Sequence, residues 1–391
     1  MQSEIYFDNS ATTRQYDEVT EHIADVARNM YGNPSSLHTK GIEAEKIVRY
    51  ARESIAYSLG TQSKEIYFTS GGTESNNLAI RGFLDANPRK GKHIITTQVE
   101  HPSVLEVYHH LEKQGYRVDS IGVDENGIVD INQLQKVITP ETALISVILV
   151  NNETGAIQQA EQIATIRDTL NPQTVIHADA VQAYGKLQLL PEKTGIGLLS
   201  VSSHKIHGPK GVGALYVSKK VKINPLFYGG GQETLMRSGT ENVPGISGFG
   251  LASKLTLSKL EEHYEHVSLL KKSFIEKLAA TEIDHIVLSS KDALPYILNI
   301  AFKDVRAEVL LHHLEQKGIF VSTGSACASH KSTRSHVLTA MKVPVELIDG
   351  AIRFSFSGFN TKEEVNIAIE SLKEIIPIID INRRHKIRRN K

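Results

Sequence analysis

The sequence predicts an α/β fold: a mostly parallel sheet of seven strands, followed by a smaller α+β region. From residue 65 onward, seven short apolar runs alternate with stretches of helical periodicity, which is typical of a parallel sheet covered by helices. A long helical region over 243–280, charged and periodic from 254 to 277, separates this part from a mixed pattern of short strands and helices. The change of pattern predicts two domains of unequal size.

The individual elements follow from the spacing of apolar residues and from turn residues. An extended segment over 5–13 comes first, and two helices over 17–30 and 41–59 follow it. The seven strands are predicted at 65–69, 93–97, 117–123, 143–150, 174–178, 198–201 and 213–217, with helices that include 73–84, 104–114 and 160–170. The second region has predicted strands at 286–288, 297–302, 319–321 and 352–355, and helices at 307–317, 335–341 and 362–375.

Composition excludes several classes of protein. The 391 residues carry 44 basic and 44 acidic side chains, so bulk charge does not indicate nucleic acid or an anionic membrane as a partner. One cysteine permits no internal disulfide and fits a reducing compartment. The longest apolar runs are too short to span a bilayer, and the first residues do not have the pattern of a signal peptide. We therefore expect a soluble cytoplasmic protein; its basic end, 383–391, is either a solvated tail or a docking site for an acidic partner.

Polar residues follow several predicted strands, at the edge where open α/β sheets bind ligands. Gly72 and Thr73 begin a helix after 65–69, which makes either a phosphate site or an ordinary cap. His101, after 93–97, can stack on a planar ring or move protons, or it is a satisfied loop histidine. Asn152, after 143–150, can bind a ligand through its amide, or it belongs to a turn.

The next two strand ends carry an acid and an amine. Asp179 lies among apolar residues and needs a cationic or donor partner, such as a protonated pyridine nitrogen; a buried helix cap is the alternative. Gln182 follows at a distance that can reach a ring hydroxyl. Lys205, preceded by Ser202 and His204, ends the buried run 198–201; desolvation of such an amine favours Schiff-base chemistry, and a solvated loop lysine is the alternative.

The single cysteine, Cys327, has a setting that favours reactivity over a packing role. Small residues surround it, and the polar, basic stretch that follows contains His330, Lys331 and Arg334, which favours the thiolate. The other groups, taken together, match pyridoxal 5′-phosphate: an amine for its aldehyde, a phosphate site, an acid for its ring nitrogen, an amide for its ring oxygen and an imidazole for its face. No metal-ligand spacing, dinucleotide fingerprint or P-loop competes with this interpretation.

Nine motifs give the chain a specific resemblance, over nearly its whole length, to the cysteine desulfurases of the NifS/IscS type. These belong to the class V aminotransferase family of fold-type I pyridoxal-phosphate enzymes. The motifs are YFDNSATT (6–13), GNPSSLH (32–38), TSGGTESNN (69–77), EH (100–101), NNETG (151–155), HADAVQ (177–182), SHK (203–205), RSGT (237–240) and SAC (325–327).

The resemblance implies a role for each matching residue. Lys205, His101 and Cys327 match the catalytic positions: Lys205 binds the cofactor aldehyde, His101 stacks on its ring, and Cys327 accepts the sulfur. Cofactor-binding positions are matched by Gly72, Thr73, Ser202 and His204 at the phosphate, Asp179 at the ring nitrogen, Gln182 at the ring oxygen, and Thr240 at the phosphate of the other subunit of a homodimer. Asn152 and Arg353, with Asn33 as an addition, match positions that hold the substrate or the ring edge.

The implied reaction converts L-cysteine to L-alanine and leaves a persulfide on Cys327, in a loop of the long, mobile type. A sulfur-acceptor protein then takes the sulfur, either an iron–sulfur scaffold or a tRNA thiolation enzyme. The resemblance also implies a large cofactor-binding domain over 15–256 and a small domain over 1–14 and 257–391 that carries the catalytic cysteine. Gly197 stands where relatives often have an acidic residue. Selenocysteine lyase, another class V aminotransferase and a non-catalytic binding protein are the alternatives.

Overall fold

The computed structural model describes residues 4–323 and 334–380. Within these ranges the strands are β1 (Ile5–Tyr6), β2 (Ile66–Thr69), β3 (His93–Thr97), β4 (Arg117–Ile121), β5 (Thr142–Ile148), β6 (Val175–Asp179), β7 (Leu198–Ser202), β8 (Gly213–Val217), β9 (His285–Val287), β10 (Ile297–Phe302), β11 (Ile319–Phe320), β12 (Ser322–Thr323) and β13 (Ala351–Ser355). The α-helices are α1 (Asp17–Asn29), α2 (Thr39–Ser58), α3 (Gly72–Asn77), α4 (Phe83–Ala86), α5 (Pro102–Lys113), α6 (Ile131–Val137), α7 (Ala160–Leu170), α8 (Val243–Ser258), α9 (Leu260–Ala279), α10 (Ala307–Gln316), α11 (His336–Ala340), α12 (Val345–Ile348) and α13 (Lys362–Ile379).

A seven-stranded sheet forms the centre of the fold, in the order β2-β8-β7-β6-β5-β3-β4. All strands run in the same direction except β8, which is antiparallel to both neighbours. Every residue of β3, β5, β6, β7 and β8 is buried, as expected for strands with helices on both faces. This architecture confirms the predicted α/β class and its mostly parallel sheet.

The helices that cover the sheet approach one another closely at small residues. Helices α2 and α8 pack so tightly that a Cβ atom on Gly250 would lie 2.6 Å from the Cα of Ala51. The helical region predicted over 243–280 divides at Lys259, whose φ of −115° and ψ of 14° end α8 before α9 begins. The helix predicted over 73–84 is α3 and α4, joined by a π-helical turn at Leu78–Gly82.

A second, antiparallel sheet has the order β12-β13-β10-β9, and β1 pairs separately with β11. The strand predicted over 319–321 is β11, and a second short strand that was not predicted, β12, follows it; β11 bonds to the N-terminal segment while β12 bonds to β13. The division into domains over 15–256 and over 1–14 with 257–391 stays a prediction. No helix within the described ranges is long and apolar enough to cross a membrane.

The N-terminal segment connects the second sheet to the central one. The side-chain amide of Asn9 donates to the carbonyl of Ser355 at the end of β13 (2.8 Å). A few residues later, the backbone N–H of Thr13 donates to the carbonyl of His204, just beyond β7 (3.0 Å), and the Thr13 hydroxyl donates to the same oxygen (2.9 Å). Residues 9–13 thus cross the carboxyl edge of the central sheet.

Candidate active site

A cavity of about 250 Å³ opens at the carboxyl ends of the central strands. Nine of the residues predicted for the site line it: Gly72, Thr73, His101, Asn152, Asp179, Gln182, Ser202, His204 and Lys205. They come from the ends of five different strands, β2, β3, β5, β6 and β7, which run in the same direction and therefore end at one edge of the sheet. The structure thus brings these nine side chains to one place, and their individual roles remain predictions.

Lys205 lies in a 3₁₀ turn directly after β7, and its amine is held by the N-terminal segment. The Nζ atom donates to the carbonyl oxygens of Ser10 (2.5 Å) and Ala11 (2.6 Å). Its positive charge helps to lower the pKa of His101 and of His204, although burial is the larger cause for both. The amine is therefore at the cavity and electrostatically coupled to its neighbours.

Asp179 belongs to a network of hydrogen bonds across the cavity wall. Its carboxylate accepts from the side-chain amide of Asn76 (2.8 Å) and from the backbone N–H of Val181 (3.0 Å). The same amide nitrogen of Asn76 donates to the hydroxyl of Ser103 (2.8 Å), which in turn lies 2.8 Å from Nδ1 of His101. A buried carboxylate and an imidazole are thereby connected through two neutral side chains.

His101 directly precedes α5 and caps its first turn, and this contact determines which ring nitrogen carries the proton. Its Nδ1 accepts from the backbone N–H of Ser103 (3.2 Å), so Nδ1 carries no proton. Burial lowers the pKa of His101, Lys205 and His336 lower it further, and Asp179 acts in the opposite direction. The ring is therefore neutral near pH 7, with its proton on Nε2.

The predicted phosphate site contains unsatisfied and closely packed groups. The hydroxyl of Ser202 is buried and has no hydrogen-bond partner among the described residues. A Cβ atom on Gly72 would lie 2.6 Å from Cγ2 of Val181, so only glycine keeps this wall of the cavity open. Burial lowers the pKa of His204 to about 4, with Lys205 as the next cause, and a bound anion would offset both effects.

Arg353 does not line this cavity but contacts one of its residues. In β13 its side chain is buried, donating to the backbone carbonyl of Asn152 (2.9 Å) and pairing with the carboxylate of Asp8 (2.8 Å). The Nε atom of Arg353 is buried and has no hydrogen-bond partner among the described residues. The N–H at Nε is therefore a candidate donor to a ligand.

Two predicted residues lie elsewhere, and a third is outside the described part of the chain. Thr240 is exposed and does not line the cavity of its own chain. Asn33 is also exposed, in a turn where its side chain accepts from the backbone N–H of Ser35 (2.9 Å). Cys327 lies outside the described residues.

Sequence reasoning did not assign three polar residues that line the cavity, Ser10, Asn76 and Ser103. Asn76 lies four residues after Gly72 on the same helix, a spacing that places both on one face and was a usable signal. Ser103 follows His101 by two residues, at the start of α5. Ser10 comes from the distant N-terminal segment, and its carbonyl reaches Lys205 only through the tertiary fold.

The residues present fit pyridoxal 5′-phosphate. The buried hydroxyl of Ser202 and the opening at Gly72 suit a phosphate, the carboxylate of Asp179 suits a protonated ring nitrogen, and Lys205 supplies an amine for the aldehyde. Within residues 4–323 and 334–380, no three His, Cys, Asp or Glu side chains are grouped as they would be to hold a metal ion. The fold and the cavity define a fold-type I enzyme that depends on pyridoxal phosphate.

Comparisons with known proteins narrow this class. The family model for class V aminotransferases matches residues 5–367. The chain is 43% identical to a cysteine desulfurase IscS from Dictyoglomus turgidum over 378 residues, which cover 96% of this chain and 95% of the relative. A solved NifS-like protein superposes with a TM-score of 0.91 at 38% identity, covering 96% of this chain and 100% of the other. A structure described as SspA in complex with cysteine superposes with a TM-score of 0.80 at 32% identity, covering 92% and 100%.

The chain belongs to the class V aminotransferase family and, within it, to the cysteine desulfurases of the NifS/IscS type. Enzymes of this family use pyridoxal phosphate. The predicted cofactor and the predicted class of enzyme are thereby confirmed.

Proposed function

We propose that this enzyme removes sulfur from L-cysteine, releases L-alanine and holds the sulfur as a persulfide on Cys327. The observation that carries the proposal is the convergence of Lys205, Asp179 and His101 on one cavity in a chain whose single cysteine follows the second sheet's strand β12. The relatives named cysteine desulfurase and the solved relative in complex with cysteine support the same substrate.

The chain's own residues supply the proton transfers. When bound, pyridoxal phosphate withdraws electrons from the substrate carbon next to the amine. Asp179 keeps a proton on the ring nitrogen, and the amine of Lys205 removes the Cα proton of the substrate. His101 donates a hydrogen bond to the substrate from Nε2–H, because its Nδ1 is occupied by the N–H of Ser103.

The sulfur transfer needs no external oxidant or reductant, because the electrons of the bond that breaks stay within the substrate. The thiolate of Cys327 attacks the substrate sulfur, forming an S–S bond while the substrate's Cβ–S bond breaks. The electron pair of the broken bond stays with Cβ, which takes up a proton and becomes the methyl group of alanine. The transferred sulfur is oxidised and Cβ is reduced.

Arg353 is the best candidate to hold the substrate carboxylate. Its guanidinium already contacts Asp8 and the backbone of Asn152, and its Nε has no partner among the described residues. Arginine binds carboxylates through fixed, paired donors that lysine lacks. Arg353→Lys is therefore expected to raise KM for L-cysteine at least tenfold with a smaller change in kcat; an unchanged KM would exclude this role.

A homodimer is proposed because two segments, 31–37 and 228–235, expose large apolar side chains and contribute residues to one pocket. Tyr31, Leu37, Tyr228 and Leu235 are 73%, 96%, 81% and 68% exposed, which is costly for an isolated chain. Thr240 is also exposed, and in the proposed dimer it completes the phosphate site of the second subunit. Sedimentation velocity tests the dimer, and weaker cofactor binding in Thr240→Ala tests the shared site.

The physiological acceptor is proposed to be a protein, either an iron–sulfur scaffold or a tRNA thiolation enzyme. A single cysteine, which can form no internal disulfide, also fits a reducing cytoplasm. Transfer of labelled sulfur from the charged enzyme to each purified candidate distinguishes the two.

The central experiment incubates the purified enzyme with L-cysteine and measures alanine and protein-bound persulfide. Cys327→Ser should retain the cofactor and form no persulfide, while Lys205→Ala should lose the visible absorption band of the lysine-bound cofactor. Undiminished alanine release by Cys327→Ser would refute the nucleophile, and a retained band in Lys205→Ala would refute the lysine assignment.

A further inference from the structure

A buried lysine lies behind the wall of the cavity. Lys186 is only 6% exposed and does not line the cavity itself. Its Nζ donates to the side-chain oxygen of Gln182 (2.9 Å) and lies 5.7 Å from the ring centre of Tyr296. The amine thus contacts a predicted cofactor ligand from the side opposite the cavity.

Gln182 connects Lys186 to the reactive Lys205 through the carbonyl of Ser10. Its side-chain nitrogen donates to the carbonyl of Ser10 (2.9 Å), the same oxygen that accepts from Nζ of Lys205. A glutamine amide has one end that accepts and one that donates. In its ammonium form Lys186 only donates, so it pairs with the oxygen end of the amide and leaves the NH₂ end toward Ser10, which lines the cavity.

Burying Lys186 is unfavourable, which argues against a purely structural role. No carboxylate among the described residues is within ion-pair distance of it, and the nearby cations Lys205 and Arg353 repel it. Burial, with those two charges, lowers the pKa of Lys186 to about 7. Lys186 also acts on other groups, since its charge contributes to the lowered pKa of His204 and of His207. A well-packed apolar side chain at this position would be less costly.

We propose that Lys186 is a positioning residue that fixes the amide of Gln182 with its NH₂ group toward the cofactor ring oxygen. This inference rests on the proposed function, in which Gln182 binds that oxygen. With the amide held, Gln182 presents only a donor to the ring oxygen. Without Lys186 the carbonyl of Ser10 is the remaining contact among the described residues that orients the amide, so the amide turns more easily and its oxygen can then face an electron-rich ring oxygen.

The test uses the full-length enzyme with Lys186→Met, a change that keeps the length of the side chain and removes the donor. The readouts are the visible absorption and circular dichroism of the bound cofactor, the affinity of the apoenzyme for pyridoxal phosphate, and the melting temperature. We expect a shifted band and about tenfold weaker cofactor binding, the effect of one lost hydrogen bond, together with an unchanged or higher melting temperature.

Lys271→Met is the matched control. Lys271 is another buried lysine, in α9, where burial lowers its pKa to about 8 and its Nζ is 3.4 Å from the carbonyl of Leu294. It does not line the cavity, so its replacement should leave the band and the cofactor affinity unchanged. An equal effect of both substitutions would overturn the inference.

A double-mutant cycle separates the orientation of Gln182 from a general charge effect. In a Gln182→Ala background there is no amide to orient, so adding Lys186→Met should have no further effect on the band or the affinity. A full effect in that background would overturn the inference. If Lys186→Met does not fold, Lys186→Arg, which also carries only donors, should keep the wild-type band, and a shifted band would refute the proposal. Alanine release by the wild-type enzyme tests the proposed function independently of these readouts.

Discussion

Replacing Glu100 by glutamine should stabilise the protein, and more so at higher pH. Glu100 is completely buried beside His101. Its Oε1 accepts from the hydroxyl of Thr97 (2.7 Å) and from the backbone N–H of Ile148 (2.7 Å). Its Oε2 is buried without a partner among the described residues. Glutamine keeps the accepting oxygen and adds no charge, so the substitution preserves both bonds.

The expected magnitude follows from the protonation of this carboxyl group. Burial raises the pKa of Glu100 from 4.5 to about 8, so the folded protein holds a proton that the unfolded chain releases between these two values. The free energy of unfolding therefore falls by about 1.4 kcal/mol per pH unit as pH rises through this window. Relative to its value below pH 4.5, the free energy of unfolding is lower by about 3 kcal/mol at pH 7 and by on the order of 5 kcal/mol at pH 8 and above.

Thermal unfolding of wild type and Glu100→Gln from about pH 5 to about pH 8 measures the effect. For a chain of 391 residues, 3 kcal/mol corresponds to a difference of roughly 4 °C in melting temperature. The chain has no tryptophan, so tyrosine fluorescence or far-ultraviolet circular dichroism reports unfolding. A difference between the two proteins that does not grow with pH would show that Glu100 is not a neutral acid in the fold.

Glu65→Gln provides a contrasting substitution. Glu65 is also buried, but each of its oxygens accepts a backbone N–H, from Lys219 (2.9 Å) and from Gln62 (3.0 Å). Glutamine can replace only one of these acceptors, and the other N–H loses its bond. This variant should be destabilised by about 1–3 kcal/mol, the opposite sign from Glu100→Gln.

Two further predictions concern the proposed interface and the cavity. Arg52 makes a paired contact with the buried carboxylate of Glu233 (2.6 and 2.7 Å), in a turn where residues 233–235 are non-glycine residues of positive φ. Arg52→Met should lower the free energy of unfolding by about 3–5 kcal/mol and shift the sedimentation profile toward monomer. An unchanged sedimentation profile would show that this turn is not part of the interface. Asn76→Leu removes the amide that joins Asp179 to Ser103 and should weaken pyridoxal-phosphate binding by about tenfold or more in fluorescence titration; unaltered affinity would refute its part in the site.

The central sheet and most of the cavity were predictable because their signals are local. Apolar runs mark buried strands, and polar residues such as Asp179 and Lys205 stand out where those runs end. Parallel strands bring their carboxyl ends to one edge, so a list of strand ends is already a list of neighbours. This physical rule explains why nine predicted residues share a cavity although more than 130 residues separate Gly72 from Lys205.

The remaining contacts depend on pairings between distant segments, which periodicity does not encode. The carbonyl of Ser10 reaches Lys205, and the carboxylate of Asp8 reaches Arg353, only because β1 pairs with β11 beside the second sheet. The sequence gives no sign that one strand ends at Phe320 and that another begins at Ser322. Such contacts are set by the register of strands far apart in sequence.

His101 illustrates how a contact of this kind decides between two chemical roles. The sequence allows its ring either to remove a proton from the substrate thiol or to give one to the leaving sulfur. In the structure the backbone N–H of Ser103 donates to Nδ1. The Ser103 hydroxyl accepts from Asn76, so its own proton is available to be donated to the same Nδ1 atom. The ring is neutral because burial and Lys205 lower its pKa more than Asp179 raises it. Its one exchangeable proton is therefore on Nε2, where the neutral ring can donate a hydrogen bond to the substrate but has no free lone pair, which disfavours removal of the thiol proton by this nitrogen.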